Sequence, residues 1–345
     1  MSARRPWLVP LAPLYGAVVT TKRKLYRWGW LKQNRLPAPV VSIGSVSAGG
    51  AGKTPFVAML AEVLHRKGYS VSILTRGYGR TSELTERVEP YDDPEWHGDE
   101  PVLLAQRSTA PVFAGADRYE AGLLAEKVEP GEGRTAVHLL DDGFQHLRLA
   151  RNVDIVLLTL EDTKDMLLPA GNLREPIRTV AEADVVVVRD EEAAALKDVL
   201  DSLREKGHRF ATWTIRRTLN LHEDVESPLP TMPLAFCGIA RPDNFTKMLT
   251  SSRYEPAKTV AFADHHPYTE SDVAQLIEDA KRIGANGFVT TEKDAVKISP
   301  EMRRQLEYIG RLVVAQLRVE LVGEKEALTQ LVTMVGGLDR RKNRA

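Results

Sequence analysis

A chain of 345 residues is longer than one hydrophobic core usually organises, so two domains are expected. With 43% hydrophobic and 27% charged residues and a formal net charge of zero, it reads as a folded globular protein without a chain-wide nucleic-acid surface. The single cysteine, Cys237, excludes an internal disulfide framework, suits a reducing compartment and reads as a small buried hydrophobe.

The neutral total hides an asymmetry at the N-terminus. No acidic residue precedes Glu62, against nine Lys or Arg. Within this basic stretch the apolar run 7–19 holds thirteen residues and two prolines, short of the roughly 20 that span a bilayer. A basic cluster follows it, with no convincing small-residue cleavage site. Leu14, Tyr15, Val18, Leu25 and Tyr26 keep helical spacing, with Arg23, Lys24 and Arg27 off that stripe and Lys22 interrupting it. Such a helix either packs on the protein's own core or lies on an anionic membrane. The wholly basic charge, with Trp7, Trp28 and Trp30 suited to the headgroup layer, favours the membrane.

A β-branched strand at 40–43 leads into "SIGSVSAGGAGKTP", residues 42–55, and then a helix whose apolar face is Phe56, Met59, Leu60, Val63 and Leu64. Gly68 ends the helix and a strand at 71–74 completes a βαβ unit. The loop matches the phosphate-binding pattern except at its first glycine, where Ser47 stands. Ser47 forfeits only a positive φ there. Backbone N–H groups from Ser47, Ala48, Gly49, Gly50, Ala51 and Gly52 can still converge on phosphate oxygens. Lys53 then reaches the outer phosphates and the Thr54 hydroxyl a magnesium ion.

Further along, Asp99 before Glu100 and Pro101 has the spacing of a helix N-cap. Apolar runs at 112–113, 137–140, 154–158 and 185–188 read as strands buried on both faces. The second of these runs, in "VHLLDDGFQH", ends its strand in Asp141 and Asp142, where phosphate-binding-loop proteins keep a magnesium-associated carboxylate. "LPAGNLREP" places Arg174 in a loop flanked by Gly and Pro. The polar, proline-rich stretch 216–233 reads as a linker to a second α/β segment. That segment has strands at 234–237 and 288–291 and a helix from Thr269 to Gly284. In "FADHHPYT", the adjacent His265 and His266 point in different directions, so at most one shares a site.

Taken together these stretches resemble the lipid A 4'-kinase family, the tetraacyldisaccharide 4'-kinases of Gram-negative envelope synthesis. The resemblance is carried, in family order, by "PLYG", "GGAGKTP", "LTRGYGR", "GDEPVLLA", "DDGFQH", "LPAGNLREP", "FADHH" and "TTEKDAVK". A threonine usually stands where Ser47 is, so the absent first glycine is a family trait. Ser45 stands where the family more often has Asn, with little consequence expected. The resemblance implies transfer of the ATP γ-phosphate to the 4'-hydroxyl of a tetraacylated glucosamine disaccharide 1-phosphate at the cytoplasmic face of the inner membrane.

It implies an α/β fold with a P-loop NTPase-like parallel sheet flanked by helices, a smaller C-terminal α/β domain and an N-terminal interfacial helix. The expected units are 1–36, 37–215 and 216–345, the last residues packing back on the core. By the same resemblance Asp99 is the general base with His265 paired to it, overriding the cap reading. Arg174 stabilises phosphate charge or holds the substrate's 1-phosphate. Thr54 ligates Mg²⁺, with Glu100, Asp141 and Asp142 as the carboxylates near it. Acylated glycolipid and membrane surface are the expected partners, with no nucleic acid and no obligate protein partner evident. The alternatives are a membrane-associated P-loop ATPase switch, which needs only a positioned water and a partner surface, and a glycolipid-binding module with a vestigial loop.

Overall fold

The computed structural model describes residues 5–205, 209–221 and 228–342. The strands are β1 (Val40–Ser45), β2 (Tyr69–Thr75), β3 (Glu86–Val88), β4 (Val112–Ala114), β5 (Thr135–Asp141), β6 (Val153–Leu157), β7 (Val185–Arg189), β8 (Ala211–Asn220), β9 (Leu234–Cys237), β10 (Lys258–Ala261), β11 (Phe288–Thr291) and β12 (Leu312–Val322). The helices used below are α1 (Ala12–Arg27), α2 (Lys53–Arg66), α3 (Asp99–Arg107), α4 (Glu270–Ile283), α5 (Glu292–Ala295) and α6 (Glu324–Lys342).

All described strands join one sheet in the order β10-β9-β11-β12-β8-β7-β6-β1-β5-β2-β4-β3. From β8 to β4 neighbours are parallel, as crossover helices require, with β3 an antiparallel edge. Residues of β1 are buried along its whole length, which explains its unalternating β-branched run. Phe56, Leu60 and Leu64 of α2 pack on Val41 and Ile43 of that strand in the largest core cluster. Each such side chain contributes about 1.5–3 kcal/mol by leaving water. Ala327, Leu331 and Val335 of α6 belong to the same cluster, so the C-terminal helix closes the first half of the molecule.

The second half, β9 to β11 with α4, has its own core around Phe236, Phe288 and Leu276. α4 starts at a capping box between Thr269 and Asp272 and stops at left-handed Gly284. The halves share β12: its residues 312–315 pair with β11 and its residues 316–322 pair antiparallel with β8. This corrects the linker reading, because residues 216–220 lie in β8 rather than in a connection, and a strand crosses the 215/216 boundary. Local texture could not reveal this, since β8 is fixed by pairing with β12, about a hundred residues away. Residues 222–227 of that stretch lie outside the described residues.

α1 is inverted relative to a helix packed on a core. Its exposed side carries Leu14 at 65% and Val18 at 60% exposure, and Trp7, Trp28 and Trp30 flank it in the open. Its inner side buries Ala12, Gly16 and Arg23. At Gly16 a Cβ would lie 2.8 Å from Leu167 Cδ1, so the small residue permits the close approach. Arg23, expected on the polar surface, is instead 8% exposed and ion-paired with Glu175. Among the described residues no helix is long and apolar enough to cross a membrane.

Candidate active site

The glycine-rich loop connects the end of β1 to the first turn of α2, aiming free helix N–H groups at the space above the sheet. Gly49, Gly50 and Gly52 have φ of 73°, 71° and 88°, which side chains resist. Ser47 is absent from the residues with positive φ, so the first loop position requires no glycine. It is fully buried and bridges to Leu173, while the Ala48 N–H donates to the Asn172 carbonyl at 2.9 Å. The stretch containing Arg174 therefore lies against the loop. Thr54 lies half-buried beside Lys53 in the first turn of α2.

Lys53 Nζ lies 3.3 Å from both Ser45 Oγ and Asp142 Oδ1. Arg174 grips the same carboxylate with both terminal nitrogens, at 2.6 and 2.7 Å. Burial would push the Asp142 carboxyl up, but the Lys53 ammonium and Arg174 outweigh it and hold it well below the usual range. Arg174 thus braces Asp142 and is not turned toward open solvent. Ser45, expected to be inconsequential, lies at the junction: Arg174 and Lys53 both reach its hydroxyl.

Asp141 behaves differently from its neighbour. It is buried, one oxygen accepts from Thr75 at 3.2 Å, and Oδ1 has no hydrogen-bond partner. Burial, followed by the charges of Glu100 and Asp142, pushes its carboxyl up to about 7. An orphaned buried oxygen among carboxylates fits a divalent cation. Among the described residues no three such groups already form a cage. That suits magnesium, which usually takes one or two carboxylates plus phosphate and water.

Asp99 and His265 meet across the two halves. His265 Nδ1 lies 3.0 Å from both oxygens of Asp99. Asp99 is the first residue of α3, and Gly98 occupies the N-cap, which displaces the capping role expected from spacing. Asp99 Oδ1 does still accept the Glu100 N–H at 2.8 Å. Burial raises the Asp99 carboxyl, but the His265 hydrogen bond and the Lys293 ammonium leave it below its ordinary value. Burial disfavours the charged His265, yet the hydrogen bond to Asp99 leaves its imidazole above its ordinary value. His265 has φ of 60°, an uncommon conformation held by its N–H bond to the Gly238 carbonyl. His266 turns the other way, to Asp272, and stacks on Phe262.

Lys293 lies in the "TTEKDAVK" stretch, whose sequence alone gives it no role. Its ammonium touches His265 Nε2 at 2.9 Å, Glu100 at 3.1 Å and Asp264 at 3.5 Å. Lys297, one helical turn on, is 4.0 Å from Asp99. The i,i+4 spacing of the two lysines was a usable signal of one cationic face. Glu100 is therefore shared between the Asp141 carboxylate group and this cation. The arrangement links a phosphate-binding loop, opposed cations, a candidate metal corner and a carboxylate–imidazole pair through Glu100 and Lys293.

A profile of the tetraacyldisaccharide-1-P 4'-kinase family (LpxK) matches residues 4–336. Two proteins called tetraacyldisaccharide 4'-kinase, from Koribacter versatilis (strain Ellin345) and Aquifex aeolicus (strain VF5), are 37% and 36% identical to the chain. The matches cover 94% and 85% of this chain, and 98% and 90% of those proteins. A crystal structure of the "apo" form of LpxK from Aquifex aeolicus in complex with ATP is similar, with a TM-score of 0.71 and 33% identity. It covers 96% of this chain and 99% of that one.

Proposed function

The chain belongs to the tetraacyldisaccharide 4'-kinase family, and on that premise we propose how its residues carry out the transfer. It is an ATP-dependent kinase acting on the 4'-hydroxyl of tetraacylated glucosamine disaccharide 1-phosphate. The loop from Ser47 to Thr54 cradles the ATP phosphates with backbone N–H groups, and Lys53 leaves Asp142 to face the outer ones. Mg²⁺, held by Thr54 and Asp141 with Glu100 or Asp142, would supply neutralisation of phosphate charge.

The sugar hydroxyl attacks the γ-phosphorus, a bond to its oxygen forms, and the bond to the β–γ bridging oxygen breaks. The hydroxyl proton passes to Asp99, which is ionised at neutral pH, and His265 holds that carboxylate in place. A weak base suffices because the transition state is loose and the hydroxyl is acidified late. Arg174 fixes Asp142 and helps neutralise charge at the loop. The observation carrying this reading is the Asp99–His265 hydrogen bond made between the two halves beside the loop.

A second assignment, His265 as proton acceptor with Asp99 orienting it, is favoured by exposure: 23% for the His265 side chain against 5% for Asp99. We place the exposed face of α1 on an anionic membrane surface, at the cytoplasmic side of the inner membrane, where an acylated acceptor would reside. Mass spectrometry of the disaccharide acceptor after incubation with ATP and Mg²⁺ tests the reaction. A gain of one phosphoryl group is expected, and ATP consumption without it would favour the ATPase switch. Asp99→Asn keeps the acceptor for the Glu100 N–H, so a stable, inactive variant is expected. An active Asp99→Asn protein would remove Asp99 from the chemistry.

A further inference from the structure

The buried face of α1 ends in an arginine that the transfer steps above do not use. Arg23 Nε and Nη2 both bond Glu175, the latter at 2.8 Å, and Nη1 lies 3.2 Å from Glu182. Nη2 also donates to the Phe144 carbonyl at 3.0 Å, and the guanidinium carbon sits 4.1 Å from the centre of the Phe144 ring. Eight residues earlier, the Tyr15 hydroxyl donates to the Arg174 carbonyl at 3.1 Å. Glu175 follows Arg174, and Phe144 lies two residues after Asp142. One helix therefore holds the backbone beside both members of the Asp142–Arg174 pair.

We propose that Arg23 is a positioning residue for phosphoryl transfer. From the inner face of α1 it clamps the 142–144 turn to the 174–175 segment, and so fixes the Asp142–Arg174 pair that frames Lys53. This rests on the reading that these three residues belong to the transfer site. The chemistry of the clamp is specific to a guanidinium: its planar fork meets the Glu175 carboxylate twice while its face covers Phe144. Exposed Leu14 and Val18 lie on the same helix, so surface docking and site geometry depend on opposite faces of one element.

Arg23→Gln is expected to lower kcat on micellar acceptor by about 10–100-fold, the scale of a small misplacement of reacting groups. KM for the acceptor and binding to phosphatidylglycerol vesicles should stay near the parent, because the outer face is untouched. Tyr15→Phe removes one hydroxyl and is expected to lower kcat severalfold at an unchanged melting temperature. It decides the matter if Arg23→Gln does not fold. Asp142→Asn, run in parallel, tests the underlying site reading. Parent-like kcat in a folded Arg23→Gln or, failing that, in Tyr15→Phe overturns the positioning role while an impaired Asp142→Asn leaves the site intact. Parent-like kcat in Asp142→Asn overturns the site reading itself. Loss of vesicle binding with kcat unchanged makes Arg23 a prop for the surface helix and also overturns the proposal.

Discussion

Neighbouring carboxylates take opposite character at the candidate active site because their surroundings differ. Asp142 faces Lys53 and Arg174 and stays ionised, whereas Asp141 is buried among acids and is held near 7. Its folded value lies above the ordinary 3.8, so its stabilising contribution is present below that value and is lost as pH rises through about 7. Asp141→Asn is therefore expected to melt above the parent at pH 8, measured without metal or nucleotide, and to match it near pH 4. Equal melting at both values would show that the carboxylate is not strained. Lys53→Ala should lower kcat by about 10²–10³ with little change in melting temperature if, as proposed, Lys53 acts on charge that develops during transfer. The identity of the base is read from the acid limb of kcat/KM. With Asp99 as acceptor the limb falls below 3.8, where its depressed carboxyl protonates; with His265 it falls above 6.5.

At the scale of elements, α1 shows why burial rather than sequence position should guide a deletion test. Removing residues 1–30 would take away the exposed apolar face and also the Arg23 and Tyr15 contacts to the site. Leaving a buried partner such as Glu175 unpaired costs about 3–5 kcal/mol, whereas outward-facing substitutions usually stay within about 0.5 kcal/mol. The clean variant is Leu14→Ser with Val18→Ser. It is expected to lose binding to phosphatidylglycerol vesicles and to raise KM on micellar acceptor, with ATP affinity unchanged. Vesicle binding equal to the parent would remove the membrane role of this face.

Across the whole molecule the described strands form two half-sheets joined through β8 and β12, with the candidate Asp99–His265 pair bridging the halves. Asp99 comes from the first half and His265 from the second, and Arg107 ties α3 to the Leu317 carbonyl of β12 at 2.6 Å. Activity that depends on a pair supplied from both sides should be lost as a unit. Asp99→Ala and His265→Ala are each expected to lower kcat by about 10²–10⁴-fold. The double variant should be little worse than the worse single. Strictly multiplicative losses would mean that the two side chains act independently.

Much of this was local enough to read from the chain. The glycine-rich loop, the strand and helix on either side of it, the capped helix at Thr269 and the opposite directions of His265 and His266 follow from short-range pattern and turn chemistry. The lysine and hydroxyl of the loop are placed by a βαβ unit whose periodicity is visible over about thirty residues. What lay outside the sequence was everything set by partners far along it. Residues 216–220 of β8 looked like a linker because their mates lie in β12, and by spacing alone Asp99 was a cap; its pairing with His265, 166 residues away, came only from the family resemblance. Arg23 looked like a surface charge until Glu175 neutralised it in the interior, and Lys293 had no role until folding set it among Glu100, Asp264 and His265. Sequence periodicity records which face of an element meets the core, but burying a charge depends on which opposite charge the fold brings beside it, and only the tertiary structure decides that.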